Sequence, residues 1–169
     1  IAFSAALTGR LVLSTLHTND APSTIARLID MEVDSFLIAG ALKAVMSQRL
    51  VRRLCPQCRI KYDPPAKTLD RLAASLPREV VMSIVPTLYR PRGCPACGGS
   101  GYSGRIGLYE LLEINDDLRL LIQNRASITE IVRAAQATEM RTLRMTGLIE
   151  VLKGRTTLAE VFRVTPSDT

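Results

Sequence analysis

Apolar positions change their period several times along the chain, and each change marks an expected element. Ile1 to Thr8 is apolar and alanine-rich, and Gly9 suits the residue just past a helix end. The opening therefore reads as the tail of a helix, and the chain as a piece from the C-terminal side of a longer protein. Leu11 to Leu16 is a short continuous apolar run, which predicts a strand buried on both faces of a parallel sheet. His17-Thr18-Asn19-Asp20 should end that strand, with Asn19 or Asp20 capping a helix that carries Pro22 in its first turn. Ile25, Leu28 and Ile29 give this helix its apolar stripe. A more thoroughly apolar helix is expected over 35–46, with Ile38, Leu42, Val45 and Met46 on one face, followed by a short strand over Gln48 to Leu54.

Residues 55–104 differ in character. They hold all four cysteines, most of the prolines and a Gly-rich stretch from Gly98 to Gly104, with a weak helix near 67–76. Arg105 to Ile114 again reads as a strand, and the remainder is helical. Asn115 precedes Asp116 and Asp117, acids placed well for a helix N-terminus. Ser127 to Glu130 and Thr157 to Glu160 both match the capping-box pattern. Leu143, Leu148, Val151 and Leu152 mark a helix that Gly154 can close. This helical end carries no chemistry of its own, and Met140 and Met145 read as core filler. The expected organisation is three-part. Residues 1–54 belong to an α/β layer, 55–104 to an inserted or appended module, and 105–169 to a returning strand and a small helical subdomain.

The cysteines sharpen this picture most. Cys55-Pro-Gln-Cys58 and Cys94-Pro-Ala-Cys97 are two matching turns separated by 35 residues, with no cysteine left over. Two residues between cysteines let both thiolates reach one ion, and two such turns complete a tetrahedral set of the kind zinc takes in structural sites. Disulfides, a redox CxxC and an iron–sulfur cluster fit the spacing and context less well. A closed four-thiolate site has no open position, so the expected zinc braces a Pro-rich module and takes no part in catalysis.

Composition and charge narrow the function classes. No apolar run nears the roughly 18 residues that span a bilayer; Phe36 to Leu42 is stopped by Lys43. The net charge is +6, drawn from clusters such as Arg49, Arg52, Arg53 and Arg59. That favours anionic partners, yet seven aromatic residues and no Trp leave little for stacking on single-stranded nucleic acid, so no specific nucleic acid is expected. His17 is the one histidine. With Thr15 and Thr18 it would lie at the carboxyl end of the predicted strand, where open α/β sheets bind ligands. On the residues alone, a structural histidine and a phosphate contact both stand.

Three segments carry a resemblance. They are Thr8 to Ala21 (TGRLVLSTLHTNDA), Gln48 to Cys55 (QRLVRRLC), and Gly101-Tyr102 followed by Gly104 to Leu112 (GRIGLYELL). Together they resemble the C-terminal portion of the ATPases that drive type II secretion and type IV pilus assembly, over essentially the whole chain. The first is similar to that family's His box. The resemblance implies part of a RecA-like core, a tetracysteine zinc subdomain with Cys55, Cys58, Cys94 and Cys97 as ligands, and a C-terminal helical subdomain. It also implies a cytoplasmic homohexamer at the bacterial inner membrane, working ATP with magnesium to assemble pseudopilins or pilins through a membrane platform protein. His17 matches the His-box histidine near the nucleotide phosphates. Thr15, Thr18 and Arg49 become candidates for the nucleotide's vicinity or an adjacent subunit. The 169 residues contain no GxxxxGK[ST] phosphate loop, Asp box or Walker-B segment. The chain alone is therefore expected not to hydrolyse ATP. Rival readings are a zinc-stabilised interaction module without a nucleotide role and, from CxxCxGxG at Cys94 to Gly101, a cochaperone-type zinc finger.

Overall fold

The computed structural model describes residues 1–83, 87–138 and 140–165. The chain divides into two compact units that do not follow chain order. One comprises Ile1–Ser47 and Glu110–Arg141, the other Gln48–Tyr109 and Thr142–Thr169.

In the first unit, α1 (Ala2–Leu7), α2 (Pro22–Asp30) and α3 (Ser35–Ala41) precede the strand β1, which begins at Ala44 and runs to Leu54. Asp20 caps α2 as expected, its Oδ1 accepting from the Ser23 N–H at 2.8 Å, with Pro22 opening the helix. Asp34 does the same for α3 through the Phe36 N–H at 2.7 Å. After the intervening chain of the second unit come α6 (Asp116–Gln123), capped by Asn115, and α7 (Ile128–Gln136), where Ser127 and Glu130 form both halves of the capping box. The core of this unit joins Ile25 and Leu28 of α2 and Ile38 of α3 to Leu112, Leu118, Ile122 and Ile131; Met140 packs against it.

Two expectations are corrected here. Leu11 to Leu16 forms no strand, and Leu11 and Leu13 stand 90% and 88% exposed. A strand needs a ladder neighbour, and among the described residues none pairs with this segment. The second apolar helix stops at Ala41 instead of reaching residue 46. Leu42 is extended, the Lys43 carbonyl accepts from Ile114 N–H at 2.9 Å, and Val45 and Met46 lie on β1. Gly40 weakens the helix end, and sheet pairing claims the β-branched residue beyond it.

In the second unit, β1 continues to Leu54 and pairs in a two-stranded sheet with β4 (Tyr102–Glu113). A second small sheet joins β2 (Ile60–Tyr62) and β3 (Leu88–Arg90) antiparallel, with Lys61 opposite Tyr89. Between them lie α4 (Ala66–Ala74) and α5 (Arg78–Ser83). The unit closes with α8 (Leu143–Leu152) and α9 (Leu158–Val164). Leu72, Leu76, Val80 and Leu88 from the Pro-rich stretch share one core with Leu148, Val151 and Leu152 of α8 and Val161 of α9. Met145 packs against that core, as expected of filler.

Candidate functional site

The two CPxC turns converge. All four Sγ atoms lie within 4.8 Å of one another, with Cys55–Cys94 at 4.0 Å, Cys58–Cys97 at 3.8 Å and Cys94–Cys97 at 3.7 Å. A tetrahedral ion with metal–sulfur bonds of about 2.3 Å needs sulfurs about 3.8 Å apart. The donor set therefore fits zinc in number, chemistry and spacing. Pro95–Cys97 is a single 3-10 turn closed by Gly98 in the left-handed region. The Cys94 and Gly101 N–H groups both donate to Cys97 Sγ, at 3.3 and 3.2 Å. Burial raises the Cys97 thiol, but these donors and the neighbouring thiols outweigh it and bring the group to about 6. Burial dominates at Cys58, which is pushed up to about 11 despite a backbone donor at Gly93.

The glycines around the turns are there for closeness. A Cβ on Gly93, whose φ is +99°, would lie 2.4 Å from the Gly99 carbonyl oxygen, and one on Gly101 2.5 Å from Pro91 Cβ. The cluster is also tied to the end of the chain. Cys55 N–H donates to Gly101 O at 2.9 Å, Leu54 N–H to Arg155 O at 2.8 Å, and Arg59 Nη1 to Gly154 O at 2.6 Å.

Next to these ties is a network the capping-box reading of Thr157 to Glu160 missed. Thr157 Oγ1 does accept from the Glu160 N–H at 3.4 Å. The Glu160 carboxylate, 2% exposed, turns away from the cap to Arg52. It takes the Arg52 backbone N–H at 2.9 Å, Arg52 Nη2 at 2.6 Å and Arg163 Nη2 at 3.0 Å. The Arg52 guanidinium stacks 4.3 Å from the Tyr102 ring centre, and Tyr102 Oη meets Thr157 Oγ1 at 3.1 Å. Glu150, also buried, pairs with Arg155 and with Lys153. Of the clustered arginines, Arg52 thus holds a buried acid, whereas Arg59 donates to the Gly154 carbonyl; only spatial proximity distinguishes such roles.

His17 and Thr15 lie in the exposed segment that leads to α2. Thr18 is half-buried and its hydroxyl meets that of Thr24 on α2 at 2.9 Å. Two residues after Asp20's predecessor Asn19, Ala21 is fully buried and its N–H donates to the buried Glu110 carboxylate at 2.6 Å. Arg49 is half-buried on β1 in the second unit, its Nη1 donating to Gln48 O at 3.2 Å.

The family model described as Type II/IV secretion system protein matches residues 1–163. The chain belongs to that family. Among relatives of the type II/IV secretion family, the type IV pilus assembly ATPase PilB of Thermus thermophilus is 48% identical over 161 residues, covering 95% of this chain and 18% of that protein. The type II secretion system protein E of Klebsiella pneumoniae is 46% identical over 167 residues, 98% of this chain and 31% of that one. The chain thus spans between about a fifth and a third of these relatives' length. Among solved structures, the pilus retraction motor PilT with bound ADP matches 99% of this chain and 36% of its own, at a TM-score of 0.61 and 22% identity. That likeness gives the fold, part of a RecA-like α/β core, with the tetracysteine cluster added. No helix among the described residues is long and apolar enough to cross a membrane.

Proposed function

We propose that this type II/IV secretion family chain is the C-terminal portion of a hexameric ATPase that powers pseudopilin or pilin assembly. The observation carrying the proposal is the family match across residues 1–163, together with high identity to both a pilus assembly ATPase and a type II secretion E protein. In this reading the complete protein is a cytoplasmic homohexamer docked on the inner membrane through the machine's platform protein. ATP and magnesium belong to that complete protein, because this chain carries no phosphate loop.

The roles of this chain's own residues follow from chemistry. His17, exposed ahead of α2 with Thr15 and Thr18 beside it in sequence, offers an imidazole donor to a terminal phosphate. Arg49 offers a guanidinium near the nucleotide or a neighbouring subunit. Cys55, Cys58, Cys94 and Cys97 would hold zinc, which supplies a structural cross-link between the two turns. The ion brings no open coordination position, so the chain's catalytic contribution rests on the His17 segment.

The test is His17→Ala in the complete ATPase. Loss of a donor to developing phosphate charge should lower kcat by about a hundredfold, with hexamer assembly and zinc content unchanged. Unaltered kcat in a correctly assembled hexamer would remove His17 from the mechanism.

A further inference from the structure

Glu110 occupies a position where an apolar residue would be expected. On β4, alternation turns Leu108, Glu110 and Leu112 to the buried side, and the three are 0%, 4% and 0% exposed. A carboxylate in such a place is costly unless it is paired. One partner is the backbone N–H of Ala21, 89 residues away in sequence, at 2.6 Å. Ala21 is the residue immediately before α2, and Pro22, the first residue of that helix, has no N–H to offer. The Ser23 N–H is taken by Asp20 and the Thr24 N–H by the Ala21 carbonyl. Glu110 therefore meets the start of a nine-residue helix at its positive end, where a carboxylate is favoured.

The position of that tie matters because of what precedes it. The chain from Leu11 to Thr18 has no regular secondary structure, and His17 lies four residues before Ala21. Fixing the Ala21 backbone fixes the point from which Thr18, Asn19 and Asp20 lead back to His17. Asp20 caps the helix and Thr18 leans on Thr24, so those two residues register the segment locally against α2. The Glu110 bond registers the same start against the sheet.

We propose that Glu110 is a positioning residue for His17, acting through the Ala21 N–H. The proposal rests on the reading of His17 given above. An acceptor is what the geometry requires, so Glu110→Gln, which keeps an oxygen in place, should rescue much of what Glu110→Leu loses. Leucine fills the apolar slot between Leu108 and Leu112 and leaves the buried Ala21 N–H without its acceptor.

Two measurements on the complete ATPase decide the matter. In steady-state hydrolysis, Glu110→Leu should lower kcat by about tenfold or more through misplacement of His17, with KM within about twofold and Glu110→Gln near wild type. Combined with His17→Ala, Glu110→Leu should cost less than about twofold further, because groups acting as one unit are not additive. In amide hydrogen exchange, Glu110→Leu should speed exchange over residues 17–21 by about tenfold, while peptides from α6 and α7 keep their rates. Unchanged exchange over 17–21, or full additivity with His17→Ala, overturns the proposal. If exchange loosens but His17→Ala itself leaves kcat intact, the tie stands as structure only, and both the catalytic reading of His17 and the positioning role fall. Equal losses in Glu110→Gln and Glu110→Leu would also overturn it, since charge and not the acceptor would then be at issue.

Discussion

Glu160→Gln is the most informative single change in the second unit. It removes the charge of a buried carboxylate while keeping its shape. Burial alone would raise this carboxyl, yet the hydrogen bonds from Arg52 and Arg163 outweigh that and bring it from 4.5 down to about 2. A depression of that size corresponds to about 3 kcal/mol. Both guanidiniums stand more than half exposed, at 54% and 56%, so solvent screening reduces the figure to about 2 kcal/mol. Because the folded-state value lies below the unfolded one, the stabilisation is complete above pH 4.5 and is lost as pH falls toward 2. Urea unfolding followed by circular dichroism should therefore place Glu160→Gln about 2 kcal/mol below wild type at pH 7. The gap should narrow steadily below pH 4.5. Acid also protonates thiolates and expels a bound metal, but that loss is common to both proteins and cancels in their difference. A variant within about 0.5 kcal/mol of wild type at pH 7, or a gap that stays constant into acid, would refute the reasoning.

Other outcomes follow from particular contacts. Cys58→Ser should reduce bound zinc from about one ion per chain to well below it, measured by elemental analysis on protein purified without added metal; retention of stoichiometric zinc would exclude the four-thiolate site. Gly93→Ala should destabilise by more than about 2 kcal/mol, since the new Cβ meets a backbone oxygen and the residue sits in the left-handed region; a thermal melt within a degree of wild type would contradict this. Glu32→Gly should stabilise slightly, by about 0.5 kcal/mol, because Glu32 follows α2 with φ +60° and glycine adopts that geometry without strain. A lowered urea midpoint would show that its side chain offsets the strain.

How much the chain discloses in advance can be argued from its helix ends. Gly9 and Gly154 were legible as terminators, and both take positive φ just past α1 and α8. Glu32 and Arg125 close α2 and α6 in the same way, with φ +60° and +51° and the same pair of backbone bonds to the last turn. Nothing in Glu or Arg announces this; the hydrophobic Val33 beyond Glu32, packed into the core, supplies the reason. The cysteine cluster was legible because metal ligation demands both residue type and spacing. Leu11 to Leu16 misled, because an apolar run reports a preference for burial and says nothing about whether a ladder partner is at hand. Glu110 and Glu160 were opaque for another cause. Each is an acid that accepts from a backbone N–H distant in sequence, at Ala21 and Arg52, and such pairings leave no local pattern.

The interleaving of the two units has a consequence for the order in which they can form. All the residues of the first unit are available once Arg141 has emerged from the ribosome. The second unit begins at Gln48, within the span of the first, but needs α8 and α9 for its core and for the carboxylate that holds Arg52. During synthesis the cysteine module must therefore wait with Leu72, Leu76 and Leu88 uncovered until the last helices arrive. A metal captured early would close the loop from Cys55 to Cys97 and shorten the search those helices must complete. Nascent chains stalled with Arg141 just clear of the ribosome's exit tunnel should thus be protease-resistant in the first unit and open in the second.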